Sequence, residues 1–320
     1  MKDQHQTLLY IAYNLTKQNQ VITIDAMKQP LEWLTGDSTH LEKGMEWLTK
    51  NDYFVVNVNR EYTLSDMGKK EAFQVDKTRA REDFNRIISC GIESTAYLDY
   101  CEEIYGYRLP LFNMMDKEQL DYLFNHIPIS QSEEILDLGC GAGCILGSLV
   151  AKYSCRGIGI DHINEDIVRA CSPQISFIEG NFDNLNDYDI KPGLTLAVDS
   201  LYFSVDLDNL IRLLHSISNN RLYLYYSQYI FGENRRDEAL LQRDQTRLAR
   251  SLQKNGILYR TLDYSANEQE LYEKAIAVLP KYKGSMADCL YDKFWRENNS
   301  GREFYRKGMA SRYLYIAGEL

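Results

Sequence analysis

Apolar positions change their spacing along the chain, and each change predicts a different kind of element. Leu8, Leu9, Ile11, Ala12 and Leu15 recur at helical spacing near the start. Thr23 is placed to cap a short second helix that Pro30 should interrupt, and Ser38 to cap a third running through Leu48. The period then drops to two. Tyr53-Phe-Val-Val-Asn-Val-Asn59 alternates as a strand, Arg60-Glu61 turns, Tyr62-Thr-Leu64 makes a second short strand, and Ser65-Asp-Met-Gly-Lys opens another helix. Residues 77–130 read as connecting helices that carry Phe84, Tyr97, Tyr100, Tyr105, Tyr107 and Phe112. From Glu133 onward short apolar runs alternate with helical stretches, the pattern of a parallel sheet covered by helices. Strands are predicted at Glu134–Leu138, Gly157–Asp161, Ile175–Glu179, Leu194–Asp199, Arg221–Ser227, Leu258–Asp263 and Arg312–Ala317. Helices over Leu207–Ile217 and Arg235–Lys254 fall between them, the second ended by Gly256. The expected fold class is α/β, with a small α+β unit at 1–76, a helical linker at 77–130 and a main domain at 131–320 that includes a helical insertion at about 267–309.

Composition narrows the function classes. The chain has 320 residues, 44% of them hydrophobic, enough for one large core and a smaller one. No run approaches the roughly 20 apolar residues that span a bilayer. The N-terminal Met-Lys-Asp-Gln-His-Gln enters an amphipathic pattern rather than a signal peptide, so a cytoplasmic location is expected. Seven cysteines without framework spacing fit reduced thiols. The run Tyr62-Thr-Leu-Ser-Asp-Met-Gly68 resembles the wing-to-helix turn of winged-helix domains, and that resemblance implies a DNA reader. Charge argues otherwise: residues 1–76 hold eight bases against eleven acids, a balance of −3, and the helix that would read bases carries Glu42 and Glu46. The whole chain stands at −10, the opposite of what a phosphate backbone requires. No nucleic-acid partner is expected. Dimerisation or lid formation is the expected role of this unit, and a homodimer the expected assembly.

The strongest chemical signal is Glu134-Ile-Leu-Asp-Leu-Gly-Cys-Gly-Ala-Gly143, an apolar strand entering a glycine turn before Cys144-Ile-Leu-Gly-Ser-Leu-Val starts a helix. Glycine turns sharply and brings backbone to a ligand with no Cβ in the way, beside the free N–H groups of the helix start. A nicotinamide site would need G-x-G-x-x-G, but the register from Gly139 ends on Cys144 and that from Gly141 on Leu146. Strand-D-L-G-C-G-x-G-helix instead resembles the first motif of class I S-adenosylmethionine-dependent methyltransferases. The resemblance covers about residues 95–320 and implies a Rossmann-like seven-stranded sheet with helices on both faces and a final strand inserted antiparallel. It also implies S-adenosyl-L-methionine as cofactor. Asp137, Gly139, Cys140, Gly141 and Gly143 match the glycine motif, and Asp161, closing the second strand, matches the acid that accepts the ribose hydroxyls, with His162 at the edge of the site. After the third strand the resemblance places Asn181 at the adenine amino group and Phe182 on the ring, with Asp183 an alternative. The fourth motif corresponds to Asp199, Ser200, Leu201 and Tyr202, where methyl donor and acceptor meet.

The acceptor is read less directly. Tyr100, Tyr107, Tyr202, Tyr226 and Tyr229 are expected to offer ring faces to positive charge around the site. Asp199 and Tyr202 are the catalytic candidates; Asp199, His162 and His215 are the candidate bases if the acceptor must lose a proton. Aromatic covers at Tyr97–Phe112 and Asn267–Met309, the latter with Phe294 and Trp295, are expected to enclose a cavity touching Tyr202. The expected activity is transfer of a methyl group to nitrogen or oxygen of a small molecule, with no metal. The alternatives are a ligand-sensing winged-helix transcription regulator, which should bind DNA, and an RNA methyltransferase, which should carry a basic groove.

Overall fold

A computed structural model of the chain describes residues 2–17, 21–35, 37–218, 221–230 and 238–318. The chain divides into two compact units, 1–84 and 85–320. In the first, α1 (Lys2–Lys17), α2 (Ile24–Thr35) and α3 (Leu41–Lys50) precede an antiparallel hairpin of β1 (Phe54–Val56) and β2 (Tyr62–Leu64), and α4 (Asp66–Ile92) follows. Leu8, Leu9, Ile11, Ala12, Met27, Leu31, Met45, Leu48, Phe54 and Leu64 form its core. The Thr23 hydroxyl caps α2 by accepting the Ala26 N–H at 3.1 Å. Pro30 does not interrupt that helix, because Met27 and Leu31 on either side anchor it in the core. Ser38 does not cap α3; its hydroxyl donates to Glu32 at 2.6 Å, and the helix begins three residues later, after His40. The division at 84 falls inside α4 rather than near 76, since no Gly or Pro interrupts the helix between Lys69 and Cys90.

The second unit is built on β3 (Glu134–Leu138), β4 (Arg156–Asp161), β5 (Ser176–Glu179), β6 (Leu194–Val198), β7 (Leu222–Tyr229), β8 (Tyr259–Asp263) and β9 (Ala310–Ala317). They lie in the order β5-β4-β3-β6-β7-β9-β8. Neighbours run parallel except at β9, which is antiparallel to both β7 and β8. The period of two sorts side chains to the two faces. Tyr223 and Tyr225 enter one core with α5 (Thr95–Tyr105), α6 (Lys117–His126), α7 (Cys144–Tyr153), α11 (Ser265–Val278) and α12 (Asp288–Arg306). Leu222, Leu224 and Tyr226 enter the other with α9 (Leu207–Ile217) and α10 (Arg247–Lys254). A short α8 (Glu165–Cys171) links β4 to β5. The helix expected over Arg235–Lys254 is shorter: residues 235–237 lie outside the described ones, Glu238–Leu241 is a 3₁₀ turn, and α10 starts where Thr246 accepts the Ala249 N–H at 3.1 Å.

Candidate active site

The order reverses between β3 and β6, and the carboxyl ends of parallel strands at such a point open a crevice for ligands. Gly139, Gly141 and Gly143 follow β3 with φ of +70°, +53° and +74°, a region other residues enter at a cost. A Cβ on Gly139 would overlap Ser200, and one on Gly143 would come within 2.6 Å of Ile175 Cδ1. A Cβ on Gly141 would instead meet Ile88 Cδ1 at an ordinary contact distance of 4.0 Å. The turn thus packs its outer glycines and leaves the middle one clear. Gly143 stands at the N-cap of α7 and offers no side-chain cap to its first turn.

Asp161 stands across this turn, 4% exposed. Its Oδ2 accepts the Gly141 N–H at 2.8 Å, and its Oδ1 accepts the N–H groups of His162 at 2.7 Å and Ile163 at 3.2 Å. Three backbone donors fix the carboxylate: Oδ1 accepts two of them and Oδ2 one, which leaves a lone-pair site on Oδ2. The half-exposed His162 ring sits 3.3 Å from Oδ1. Asp137 is buried beneath them, and desolvation, followed by the charge of Asp161, pushes its carboxyl up to about 8. Burial likewise pushes the Cys140 thiol up.

The remaining cofactor candidates divide into floor and rim. The Ser200 hydroxyl donates to the Leu138 carbonyl at 2.5 Å and ties the ends of β6 and β3 together, while Leu201 is wholly buried in the core. Both therefore shape the floor. Asn181 accepts the Asp183 N–H at 3.0 Å and caps the 3₁₀ turn Phe182–Asp187. Phe182 is buried with Leu185, so most of its ring is spent on packing. Asp183 accepts the Ser204 hydroxyl at 2.6 Å and the Val205 N–H at 3.0 Å.

Asp199 has a different environment from the one a general base needs. At φ +53° it accepts the Met114 N–H at 3.0 Å and the Tyr202 hydroxyl at 2.9 Å. Arg312 grips it with both terminal nitrogens, at 2.7 and 3.1 Å. Both Asp199 oxygens are thus engaged by Arg312, the Met114 N–H and the Tyr202 hydroxyl, partners that any base role would have to compete with. Tyr202 is half-buried beside Tyr226, ring centroids 5.4 Å apart, and Tyr229 meets the Tyr272 hydroxyl at 3.0 Å. Tyr100 and Tyr107 are not brought to this place. Tyr100 is fully buried against Tyr97, Phe294 and Tyr282 and takes the Asn298 amide at 3.2 Å. The Tyr107 hydroxyl donates to Asp121 while its ring packs on Phe124. His215 is half-buried on α9.

The two covers meet through Tyr97, whose ring lies 5.3 Å from that of Phe112 and 5.2 Å from that of Phe294. Two surface cavities lie elsewhere: one of about 320 Å³ between His5, Trp47 and Tyr53, and one of about 460 Å³ between α8 and β5. Neither touches Tyr202, so neither is the enclosure expected there. Sequence reasoning missed Arg312, which grips Asp199, and Glu268 and Gln119, which hold Arg312 from two other elements.

No family model matches this chain, and no curated protein matches it in sequence. Solved structures do match in shape. The cyclopropane synthase MmaA2 from Mycobacterium tuberculosis aligns over 73% of this chain and 97% of its own, with a TM-score of 0.55 at 10% identity. The mycolic acid cyclopropane synthase CmaA1, complexed with SAH and CTAB, aligns over 72% and 97%, with a TM-score of 0.55 at 11% identity. The phosphoethanolamine N-methyltransferase 2 of Haemonchus contortus, in complex with phosphomonomethylethanolamine and S-adenosylhomocysteine, aligns over 86% and 73%, with a TM-score of 0.54 at 11% identity. At these identities the likeness is one of fold. The fold is the Rossmann-like methyltransferase fold. Among the described residues no helix is long and apolar enough to cross a membrane.

Proposed function

We propose that this chain is a methyltransferase that uses S-adenosyl-L-methionine and acts on nitrogen or oxygen of a small-molecule acceptor. The observation that carries the reading is the Gly139–Gly143 turn, whose uncrowded middle glycine donates its N–H to Asp161 at the carboxyl end of the neighbouring strand. That cradle fits an adenosine bearing a sulfonium. Asp161 has a lone-pair site left on Oδ2 for a ribose hydroxyl, the turn admits close backbone approach at Gly141, and Asn181 offers its oxygen to an adenine amino group. The donor supplies an already activated methyl group. The protein's part is then to align the acceptor and exclude water, and this reading gives that part to Tyr202 and Tyr229, with the buried Tyr226 packed beside Tyr202. The charge of −10 supports a small acceptor over an RNA. Seven unpaired cysteines fit a cytoplasmic location.

The N-terminal unit, read as winged-helix-like, serves assembly in this proposal: it makes a homodimer and does not bind DNA. Calorimetry tests the central claim. S-adenosylhomocysteine should bind with a Kd on the order of micromolar, and Asp161→Ala should weaken it by about tenfold or more, ~1.4 kcal/mol. Binding of NADH without binding of S-adenosylhomocysteine would refute the reading.

A further inference from the structure

A fully buried arginine lies where the floor of the site, the last strand and the insertion converge. Arg312 on β9 gives Nη1 and Nη2 to Asp199, Nε to Gln119 at 2.7 Å, and Nη1 also to Ser227 at 2.8 Å and Glu268 at 3.2 Å. Glu268 on α11 is itself fully buried and takes the Ser227 hydroxyl at 2.8 Å and the Tyr305 hydroxyl of α12. Buried ion pairs are weak stabilisers compared with apolar side chains of like volume. An arginine placed at the floor of a site is therefore better explained by direction than by stability. What it directs is visible: Asp199 Oδ1 takes the Arg312 Nη1 and the Tyr202 hydroxyl together, at 2.7 and 2.9 Å.

We infer that Arg312 is a positioning residue. By clamping both oxygens of Asp199 it fixes the direction in which Tyr202 spends its single proton. The Tyr202 oxygen is then left with lone pairs only, so toward the acceptor it receives a hydrogen bond and cannot give one. The acceptor class that suits such a floor bears a donor on or beside the methylated atom: an amine or a hydroxyl group, rather than a thioether or an alkene. This deepens the methyltransferase reading and rests on it for the identity of the reaction.

Two measurements on the full chain test it. In protein labelled with ¹³C-tyrosine, with the Tyr202 signal assigned through Tyr202→Phe, Arg312→Lys should displace that signal. Glu268→Gln keeps an oxygen acceptor for Arg312 Nη1 and should leave the signal in place, even though both variants lower the melting temperature. Should Arg312→Lys not fold, Gln119→Met frees the Arg312 Nε and should displace the signal in its stead. A Tyr202 signal unmoved by loosening Arg312, or moved as far by Glu268→Gln, overturns the positioning role. The second measurement is methyl transfer from radiolabelled donor to amines and phenols set against thioethers and alkenes. Label should enter the first group only, with Tyr202→Phe lowering kcat by about tenfold or more and S-adenosylhomocysteine affinity held within about twofold. Label in thioethers or alkenes alone, or in neither group, overturns the acceptor class. Failure of the wild type to bind S-adenosylhomocysteine would sink the methyltransferase reading and leave the tyrosine measurement standing.

Discussion

Asp137 and Asp161 lie two strands' width apart at most, on neighbouring β3 and β4, and the chain treats them in opposite ways. Asp161 receives three backbone N–H groups. Asp137 is buried, and burial together with the Asp161 charge pushes it up to about 8. An unfolded aspartate titrates near ~3.9, so the folded chain holds this proton far more tightly than the unfolded one. Below that lower value both states are protonated and the residue costs nothing. As pH rises toward about 8, the unfolded state gains by ionising and the folded state does not, so stability falls. Asp137→Asn removes the titration. The variant should gain on the wild type between pH 5 and pH 8, by at most ~1.4 kcal/mol per pH unit, when ligand-free melts are compared. Equal differences at the two pH values would show that Asp137 is not held protonated.

At the scale of elements, the insertion is a helix pair closed around one glycine. A Cβ on Gly301 of α12 would overlap the ring of Tyr272 on α11, and that ring is fixed at its hydroxyl by Tyr229, 3.0 Å away. Replacing glycine by alanine inside a helix ordinarily gains about 0.5–1 kcal/mol. Here overpacking, typically ~1–3 kcal/mol, should win, so Gly301→Ala should lower the denaturant midpoint; a raised midpoint would show that the ring gives way. Elements defined by their own residues were legible beforehand. β3 is an apolar run between an acid and a glycine, α9 has Asp206 taking the Asn209 N–H at 3.1 Å, and both were found at their full bounds. The glycine turn was legible because its residues are contiguous. Arg312 was not: its partner Asp199 is 113 positions away, and arginine is ordinarily a surface residue. Tyr100 and Tyr107 pack away from Tyr202, against Phe294 and Phe124, because an aromatic-rich run does not tell which neighbour each ring meets.

At the scale of the whole molecule, apolar surface is concentrated in the first unit. Val55 is 63% exposed, Val58 is 99% exposed, and Trp47, Met67 and Phe73 are exposed as well. Among the described residues β1, which carries Val55, is paired with β2 alone and so presents a strand edge. An exposed edge beside apolar side chains invites pairing with another chain unless something covers it. DNA is a poor occupant, because residues 1–76 carry a balance of −3 and would repel phosphates. A second copy of the same hairpin is a better one, since a two-fold axis brings identical edges together and needs no complementary charge. The full chain should therefore run at twice the monomer mass in light scattering at micromolar concentration. Val55→Lys combined with Val58→Lys should return it to a monomer, because two like charges would face their copies across the axis, with S-adenosylhomocysteine affinity held within about twofold. A monomeric wild type would sink the assembly role. Tight duplex binding that weakens steeply with salt would restore the transcription-regulator reading in its place.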